Sequence, residues 1–264
     1  MSSTQVEILR RQFACLDWSA NPDRVKRFAT GSPTLDAGLG GGFAHGALHE
    51  IFAEGMAHEP AAAAFAIALA LRASDERPIV WVRQDFVGLE IGEIYAPGLT
   101  ELGLSPDRLI LVRARDGPSV LRAGEEAARC PPLGAVLIEP WGNPKTLNLV
   151  ATRRLALAAA RSNLPVFMVR AGGVPTPSAA ATRWRISAAP SLAFEAEAPG
   201  HPCFVAELLR DRAGAAGRSW TVEWNRDRLA FSDIAGKTEA LPRHMVSAVV
   251  GGPDHPAETR RRAG

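Results

Sequence analysis

Cysteine is scarce in this chain, and its spacing excludes two kinds of small stabilised domain. The three cysteines, Cys15, Cys130 and Cys203, lie far apart and form no CxxC pair. A disulfide framework or a zinc site would need an even or clustered set of cysteines. We therefore expect neither of them, nor any other metal site, and thiols used in this way are typical of the reducing cytoplasm.

Long apolar runs are also missing. The longest, residues 61–71, falls far short of the roughly 18 uninterrupted apolar residues that a membrane helix requires. The first residues, MSSTQVEILRRQF, include Glu7, Arg10 and Arg11 and lack the apolar core of a signal peptide. We therefore expect a cytoplasmic protein that makes no membrane contact.

Lysine is rare, and the excess of positive charge is small. Only Lys26, Lys145 and Lys237 are present, and the formal net charge is +2. This balance is well below the strongly basic composition of a protein that binds nucleic acid through charge. The 264 residues, of which 47% are hydrophobic, suffice for one substantial domain.

Short apolar runs alternate with helical patterns through the middle of the chain. The expected strands are 47–52, 79–82, 109–112, 135–138 and 165–169, and the expected helices are 60–73, 119–129 and 146–162. This alternation predicts an α/β fold with a parallel sheet flanked by helices. Such a sheet binds ligands at the carboxyl ends of its strands. After residue 170, antiparallel strands are expected at 185–186, 192–196, 204–209, 219–224 and 228–231.

The same patterns divide the chain into three regions. Residues 1–27 contain an N-terminal helix and a linker, and residues 28–231 form the core. Residues 232–264 lose periodicity and gain Gly, Pro, Arg and His. That composition predicts a flexible, disordered C-terminal tail.

The loop between the first core strand and the first core helix lacks the residues that bind a nucleotide. A phosphate-binding loop has the pattern GxxxxGK[ST], in which backbone N–H groups and a lysine hold the phosphates. An ungapped alignment on EIF at 50–52 puts His58, Glu59 and Pro60 at the Gly, Lys and Thr positions. Glu59 reverses the charge that phosphate needs, and Pro60 has no N–H to donate. The sequence predicts an ordinary strand-to-helix turn that binds no ATP and no other cofactor.

The order of these segments carries a resemblance to a known fold. TGSPTLD at residues 30–36 is followed by a glycine cluster, LHEIF, an Ala-rich helix, PIVWV, AVLIEPW and PVFMVR. This order resembles the RecA core with a degenerate P-loop, over residues 28–231. With the closing pattern LLRDRAGAAGRSWTVEWN, it looks most like the ImuA family, which are RecA-like accessory proteins of bacterial damage-induced mutagenesis.

The resemblance implies a vestigial nucleotide site and a set of protein partners. We define the site as Glu54, Gly55, Glu59, Asp85 and Glu139. Glu139 ends a strand where RecA-like enzymes keep an acid, and Asp85 stands near the acid that activates water. Capping of the next turn explains Glu139 equally well. The implied partners are an ImuB-like protein, RecA and an error-prone DNA polymerase, and the fold also allows self-association.

DNA contact is a further expectation from the RecA resemblance. Residues 171–181 take the place of a DNA-gripping loop, and Arg170, Arg183, Trp184 and Arg185 flank them. A tryptophan between arginines suits base stacking beside phosphate. The simpler interpretation, which we favour, is a strand with Trp184 facing inward and the neighbouring arginines outward. Any DNA contact would then be weak or indirect.

Both termini are candidate partner contacts. Residues 3–17 have the spacing of an amphipathic helix, with Leu9 and Phe13 on its apolar face. This helix either docks on another RecA-like protomer or packs on its own domain. A basic cluster near the end of the chain is the other candidate, as a site for nucleic acid or an acidic partner or as a solvated end. It consists of Arg260, Arg261 and Arg262.

Together these observations predict a non-catalytic RecA-like accessory or adaptor protein for SOS-induced error-prone translesion DNA synthesis. Two other functions stay open. One is an unconventional RecA-type DNA-dependent ATPase, for which only Gly55, Asp85 and Glu139 remain. The other is a SulA-like cell-division inhibitor, which would make cells filament on over-expression without DNA damage.

Overall fold

The core of the protein is a mixed sheet, seen in a computed structural model that describes residues 26–191, 193–194, 198, 200–214 and 216–234. Its strands are β3 (Leu48–Ala53), β4 (Ile79–Gln84), β5 (Leu109–Ala114), β6 (Ala135–Glu139), β7 (Val166–Val169), β8 (Thr182–Ala189), β9 (Cys203–Asp211), β10 (Arg218–Asn225) and β11 (Ala230–Asp233). Their order across the sheet is β11-β10-β9-β8-β3-β7-β6-β4-β5. Strands β8 to β5 in this order are parallel, and β9, β10 and β11 extend the sheet in antiparallel fashion.

Helices cover both faces of the parallel part, and a small ribbon precedes it. The helices are α1 (Pro33–Gly38), α2 (Glu59–Ser74), α3 (Asp85–Ile91), α4 (Ala96–Glu101), α5 (Gly117–Ala128) and α6 (Leu149–Ser162). Short 3₁₀ turns occupy Met56–His58 and Pro106–Arg108, and β1 (Arg27–Phe28) pairs with β2 (Phe43–Ala44).

Side chains alternate between two cores because successive residues of a strand point to opposite faces. Along β4, Ile79 and Trp81 join the core beneath α2, whereas Val80 and Val82 join the core beneath α5 and α6. Helix α2 is apolar almost all round, which is typical of a buried helix. Its alanines let the helix lie close to the sheet, so the strand-to-helix turn at its start is held firmly.

The expected fold class is confirmed: the sheet is parallel at its centre, flanked by helices and extended by antiparallel strands. Helix α6 begins later than expected because the Asn148 side chain caps it, accepting hydrogen bonds from Val150 N and Ala151 N. Helices α3 and α4 were not expected. Of the expected strand 192–196, the described residues 193 and 194 are not in a strand, and the other three lie outside the described residues.

Several predictions fall on residues that the structure does not describe. The N-terminal helix with Leu9 and Phe13 and the basic cluster Arg260, Arg261 and Arg262 lie outside the described residues. In the part of the chain that is described, no helix has the length and hydropathy to cross a membrane.

Candidate functional site

The loop between β3 and α2 ends in Glu59, whose side chain is hydrogen-bonded to the protein backbone. Glu54 and Gly55 are exposed, a 3₁₀ turn follows, and Glu59 opens α2. Glu59 is 3% exposed, and its Oε1 accepts a 2.7 Å hydrogen bond from Gly172 N. Burial raises the pKa of Glu59, and the bond from the Gly172 amide partly offsets this. The residue at the lysine position therefore contacts protein backbone beyond β7.

Gly172 has a backbone conformation that suits this contact. Its φ is +62°, and an added Cβ would lie 3.0 Å from the indole ring of Trp141. A larger side chain would therefore be strained by both the backbone and the ring. Trp141 also forms a parallel bridge with Ala171, so the segment after β6 and the segment after β7 lie side by side.

Glu139 ends β6 and is fully buried. Its Oε2 accepts hydrogen bonds from Trp81 Nε1 at 3.1 Å and from Arg83 Nε at 2.9 Å. Burial raises the pKa of Glu139 to about 7; Arg83 opposes the rise and the charge of Glu59 adds to it. The structure thus places Glu59 and Glu139 within electrostatic reach of each other.

Asp85 is not part of this pair. It is the first residue of α3, is partly exposed, and forms a 2.9 Å ion pair with Arg113 on β5. Arg113 also binds Glu93 at 3.1 Å. Of the five residues expected in the vestigial nucleotide site, Glu59 and Glu139 converge in the interior, whereas Glu54 and Gly55 remain on the loop surface.

The largest buried polar network in the described residues was missed by sequence reasoning. Glu50 on β3 is fully buried. Its Oε1 accepts from Arg170 Nη1 at 2.9 Å, and its Oε2 accepts from Ser178 Oγ at 2.6 Å and Arg183 Nε at 3.0 Å. Both guanidinium groups lie over the ring of Phe52. The available signal was an acidic residue inside a short strand that is mostly apolar.

Two of the possible nucleic-acid contacts, Arg170 and Trp184, lie in the interior of the fold. Trp184 is fully buried, stacks on Phe43 with ring centroids 5.1 Å apart and donates from Nε1 to Thr182 Oγ1. Arg170 is 1% exposed and bound to Glu50. Neither side chain is accessible to a base or phosphate in this structure, because packing and ion pairing use both of them internally.

The other two members of that predicted set lie nearer the surface. Arg183 bonds to Glu50 and to Thr176 O, so it holds the loop 171–181. Arg185 is partly exposed and pairs with Glu207 on the next strand at 2.9 Å. The structure therefore does not assemble the four residues into one basic, stacking surface.

Asn143 fastens the loop 171–181 from a second side. Its Oδ1 accepts from Arg170 Nη2 and Val174 N, and its Nδ2 donates to Val174 O. Val174 itself is 63% exposed. Within the described part of the chain, no group of three or more His, Cys, Asp or Glu side chains is placed to hold a metal ion.

The chain is similar to known proteins both in fold and in sequence. No family model matches the chain. The crystal structure of the RadB recombinase superposes with a TM-score of 0.54 at 18% identity, covering 78% of this chain and 99% of that one. The protein called ImuA is 34% identical over 209 residues, which is 73% of this chain and 81% of the relative, in Caulobacter vibrioides strains NA1000 / CB15N and ATCC 19089 / CIP 103742 / CB 15.

The sheet order, the helix after β3 and the RadB superposition show that this molecule has a RecA-like fold. Within that class the sequence identity to the Caulobacter proteins is specific. The chain belongs to the ImuA family.

Proposed function

We propose that this chain is a non-catalytic adaptor for SOS-induced, error-prone translesion DNA synthesis. It acts with an ImuB-like protein and an error-prone DNA polymerase, alongside RecA, in the cytoplasm. Membership of the ImuA family supports the pathway. In this proposal the RecA-like fold is kept for its surfaces rather than for nucleotide hydrolysis.

One observation carries the non-catalytic part of the proposal. The Glu59 carboxylate, at the position of the phosphate-binding lysine, is buried against the amide of Gly172. A nucleotide phosphate there would meet a negative charge and a proline that has no N–H. Two like charges about 4 Å apart repel by about 4 kcal/mol at an effective dielectric of about 20, so phosphate binding is disfavoured.

Calorimetric titration with Mg-ATP, with and without single-stranded DNA, tests this directly. We expect no binding heat and no turnover in the wild-type protein. The Glu59→Lys variant is the informative comparison, because it restores the phosphate-binding charge while leaving Pro60 in place. Micromolar binding or turnover by the wild-type protein would instead support the unconventional DNA-dependent ATPase.

DNA contact is proposed to be indirect, through the partners. Arg170 and Trp184 are buried, and Arg185 is paired with Glu207, so these residues offer little free positive charge. Fluorescence anisotropy with single-stranded DNA at 50 and 200 mM salt tests this. Direct phosphate contact would produce binding that weakens steeply with salt, and such a result would contradict indirect recruitment.

The open edge of the sheet at β5 is the proposed partner surface. Ile110 is 49% exposed and Leu111 is 42% exposed, and among the strands that the structure describes β5 pairs only with β4. An apolar edge strand with unpaired backbone groups readily accepts another chain. The partner supplies a segment with apolar side chains; self-association through Leu9 and Phe13 of a second copy would use the same edge.

A pull-down with a purified ImuB-like protein tests the edge. We expect Ile110→Asp to abolish capture, whereas Val150→Asp, which changes an equally apolar side chain that is 68% exposed on α6, leaves it intact. Two further variants test the termini. One combines Leu9→Asp with Phe13→Asp, and loss of capture would assign a partner contact to the N-terminal segment. The other neutralises Arg260, Arg261 and Arg262, and loss of capture would assign one to the C-terminal segment. Loss of capture together with the circular dichroism signal would mean that a segment is needed for folding instead.

A further inference from the structure

Two buried carboxylates lie where β6, α2 and the segment after β7 come together. Glu59 opens α2 and holds the amide of Gly172. Glu139 ends β6, and Trp141, two residues later, bridges to Ala171. The Gly172 backbone that Glu59 holds lies against the ring of Trp141. The two carboxylates therefore belong to one cluster of contacting segments.

In each carboxylate, one oxygen accepts hydrogen bonds and the other accepts none from the described residues. Glu59 Oε1 and Glu139 Oε2 accept the hydrogen bonds already described. Glu59 Oε2 and Glu139 Oε1 are buried and have no hydrogen-bond partner within the described part of the chain. Buried polar atoms are rarely left in this condition, and a carboxylate oxygen can only accept until one of the pair gains a proton.

The charges around the pair do not balance without that proton. Among the described residues, Arg83 is the one cation that forms an ion pair with it, through Glu139, and Arg83 is shared with Glu93 at 3.6 Å. Trp81 and the Gly172 amide contribute neutral donors.

The other nearby guanidinium groups are engaged elsewhere. Arg170, at the end of β7, directs its side chain to Glu50 and Asn143. Arg113, on β5, binds Asp85 and Glu93. Two buried carboxylates therefore share a single guanidinium, and one negative charge is left without compensation.

We propose that Glu59 and Glu139 share one proton, so that the protonated carboxyl of one donates to the unpartnered oxygen of the other. The proton is taken up from solvent on folding, and no covalent bond is made or broken apart from the O–H bond. The chain thereby fills the vestigial site with its own carboxyl pair. This pair links α2 to β6 and, through Gly172, to the loop 171–181.

The shared proton makes the closed site sensitive to pH. Two like charges in one buried volume raise the pKa of at least one of them, and the pKa of Glu139 is about 7. Because this exceeds the ordinary value of 4.5, the folded state holds more protons than the unfolded chain between these values. The contribution to stability is therefore lost as the pH rises through about 7.

Glu59→Gln is the decisive variant. The amide oxygen of glutamine still accepts from Gly172 N, and its NH₂ group donates to Glu139 Oε1 without any titrating proton. We compare the melting temperature of the variant with that of the wild type at each pH. As the pH is raised from 5.5 to 8.5, we expect this difference to shift in favour of the variant by about 4–8 °C. Glu54→Gln, an exposed change in the same loop, should follow the wild-type profile.

Two results would overturn the shared proton. One is an identical pH profile for Glu59→Gln and wild type. The other is a wild-type melting temperature that rises with added Mg²⁺ at pH 8.5, because the site would then hold a cation.

Infrared spectroscopy of the wild-type protein gives a test that needs no variant to fold. At pH 6 we expect the band of a protonated carboxylic acid, which should fade as the pH rises above 7. Absence of that band at pH 6 would contradict the proposal.

Discussion

Glu50 is the central acceptor of one buried polar network. It compensates the guanidinium groups of Arg170 and Arg183 inside the fold. Replacing Glu50 with alanine leaves Arg170 charged, buried and unpaired. We therefore expect Glu50→Ala to lower the free energy of unfolding by about 3–5 kcal/mol, measured by urea denaturation.

A matched ion pair on the same sheet provides the control. Glu207 pairs with Arg185, and both side chains are partly exposed, at 37% and 43%. Exposed pairs contribute about 0–1 kcal/mol, so Glu207→Ala should change the unfolding free energy little. Equal losses in the two variants would show that burial does not decide the value of the Glu50 network.

Single residues differ in how far the sequence predicts them. Trp184 faces inward, as period-two alternation along β8 indicates. The same alternation places Arg183 on the opposite side of the strand from Trp184, but it does not predict the bond to Glu50, which forms because β8 lies beside β3 in the sheet. Glu50 and Arg183 are 133 positions apart in the sequence. Their contact therefore depends on which strands pair in the sheet. Glu59 was identified as unsuited to phosphate, but its bond to Gly172 depends on the same long-range geometry.

At the scale of elements, the loop 171–181 is held more firmly than its composition suggests. Gly and Pro are typical of a mobile loop. Here Gly172 N bonds to Glu59, Val174 N to Asn143, and Ala179 N to Thr152 Oγ1. We expect these amides to exchange with deuterium slowly, and Asn143→Ala to accelerate exchange at Val174 selectively. Amides inside α2 serve as the internal reference.

The amides of residues 172–174 could instead exchange in the wild-type protein as fast as those of an unstructured peptide. In that case the hydrogen bonds to Glu59 and Asn143 are too weak to position the loop. Faster exchange throughout α2 in Asn143→Ala would show general destabilisation instead of local release. Selective release would establish Asn143 as a positioning residue for the exposed Val174.

Element types followed from the sequence more readily than element boundaries did. The central strands and α2, α5 and α6 were predicted because their apolar runs are periodic. The short helices α3 and α4 were missed because each has one turn or two and exposed apolar residues nearby, Leu89 in α3 and Tyr95 just before α4. Long-range contacts hold both segments: Asp85 pairs with Arg113 on β5, and Leu99 packs against the core beneath α2. No local pattern predicts such contacts.

For the whole molecule, opposing pKa shifts set the pH dependence of stability. Burial lowers the pKa of His45 and of His49 to about 4 in each case. The unfolded chain thus binds more protons than the folded one between about pH 4 and 6.5, and stability falls as the pH drops through this window. Glu139 has the opposite sign between 4.5 and about 7. The two effects oppose each other between about pH 4.5 and 6.5, and above about pH 7 neither changes the stability further.

His49 provides the test of this balance. Its ring packs between Phe43 and Phe167 and bonds to Thr182 Oγ1 and Ala44 O, so a protonated ring would carry a buried charge. We expect His49→Gln to reduce the stability lost between pH 7 and pH 4 by on the order of 3 kcal/mol, measured by urea unfolding across that range. His201→Gln, near the surface beside Phe194, is the control and should keep the wild-type acid profile. An unchanged acid profile in His49→Gln would place the acid sensitivity in other groups.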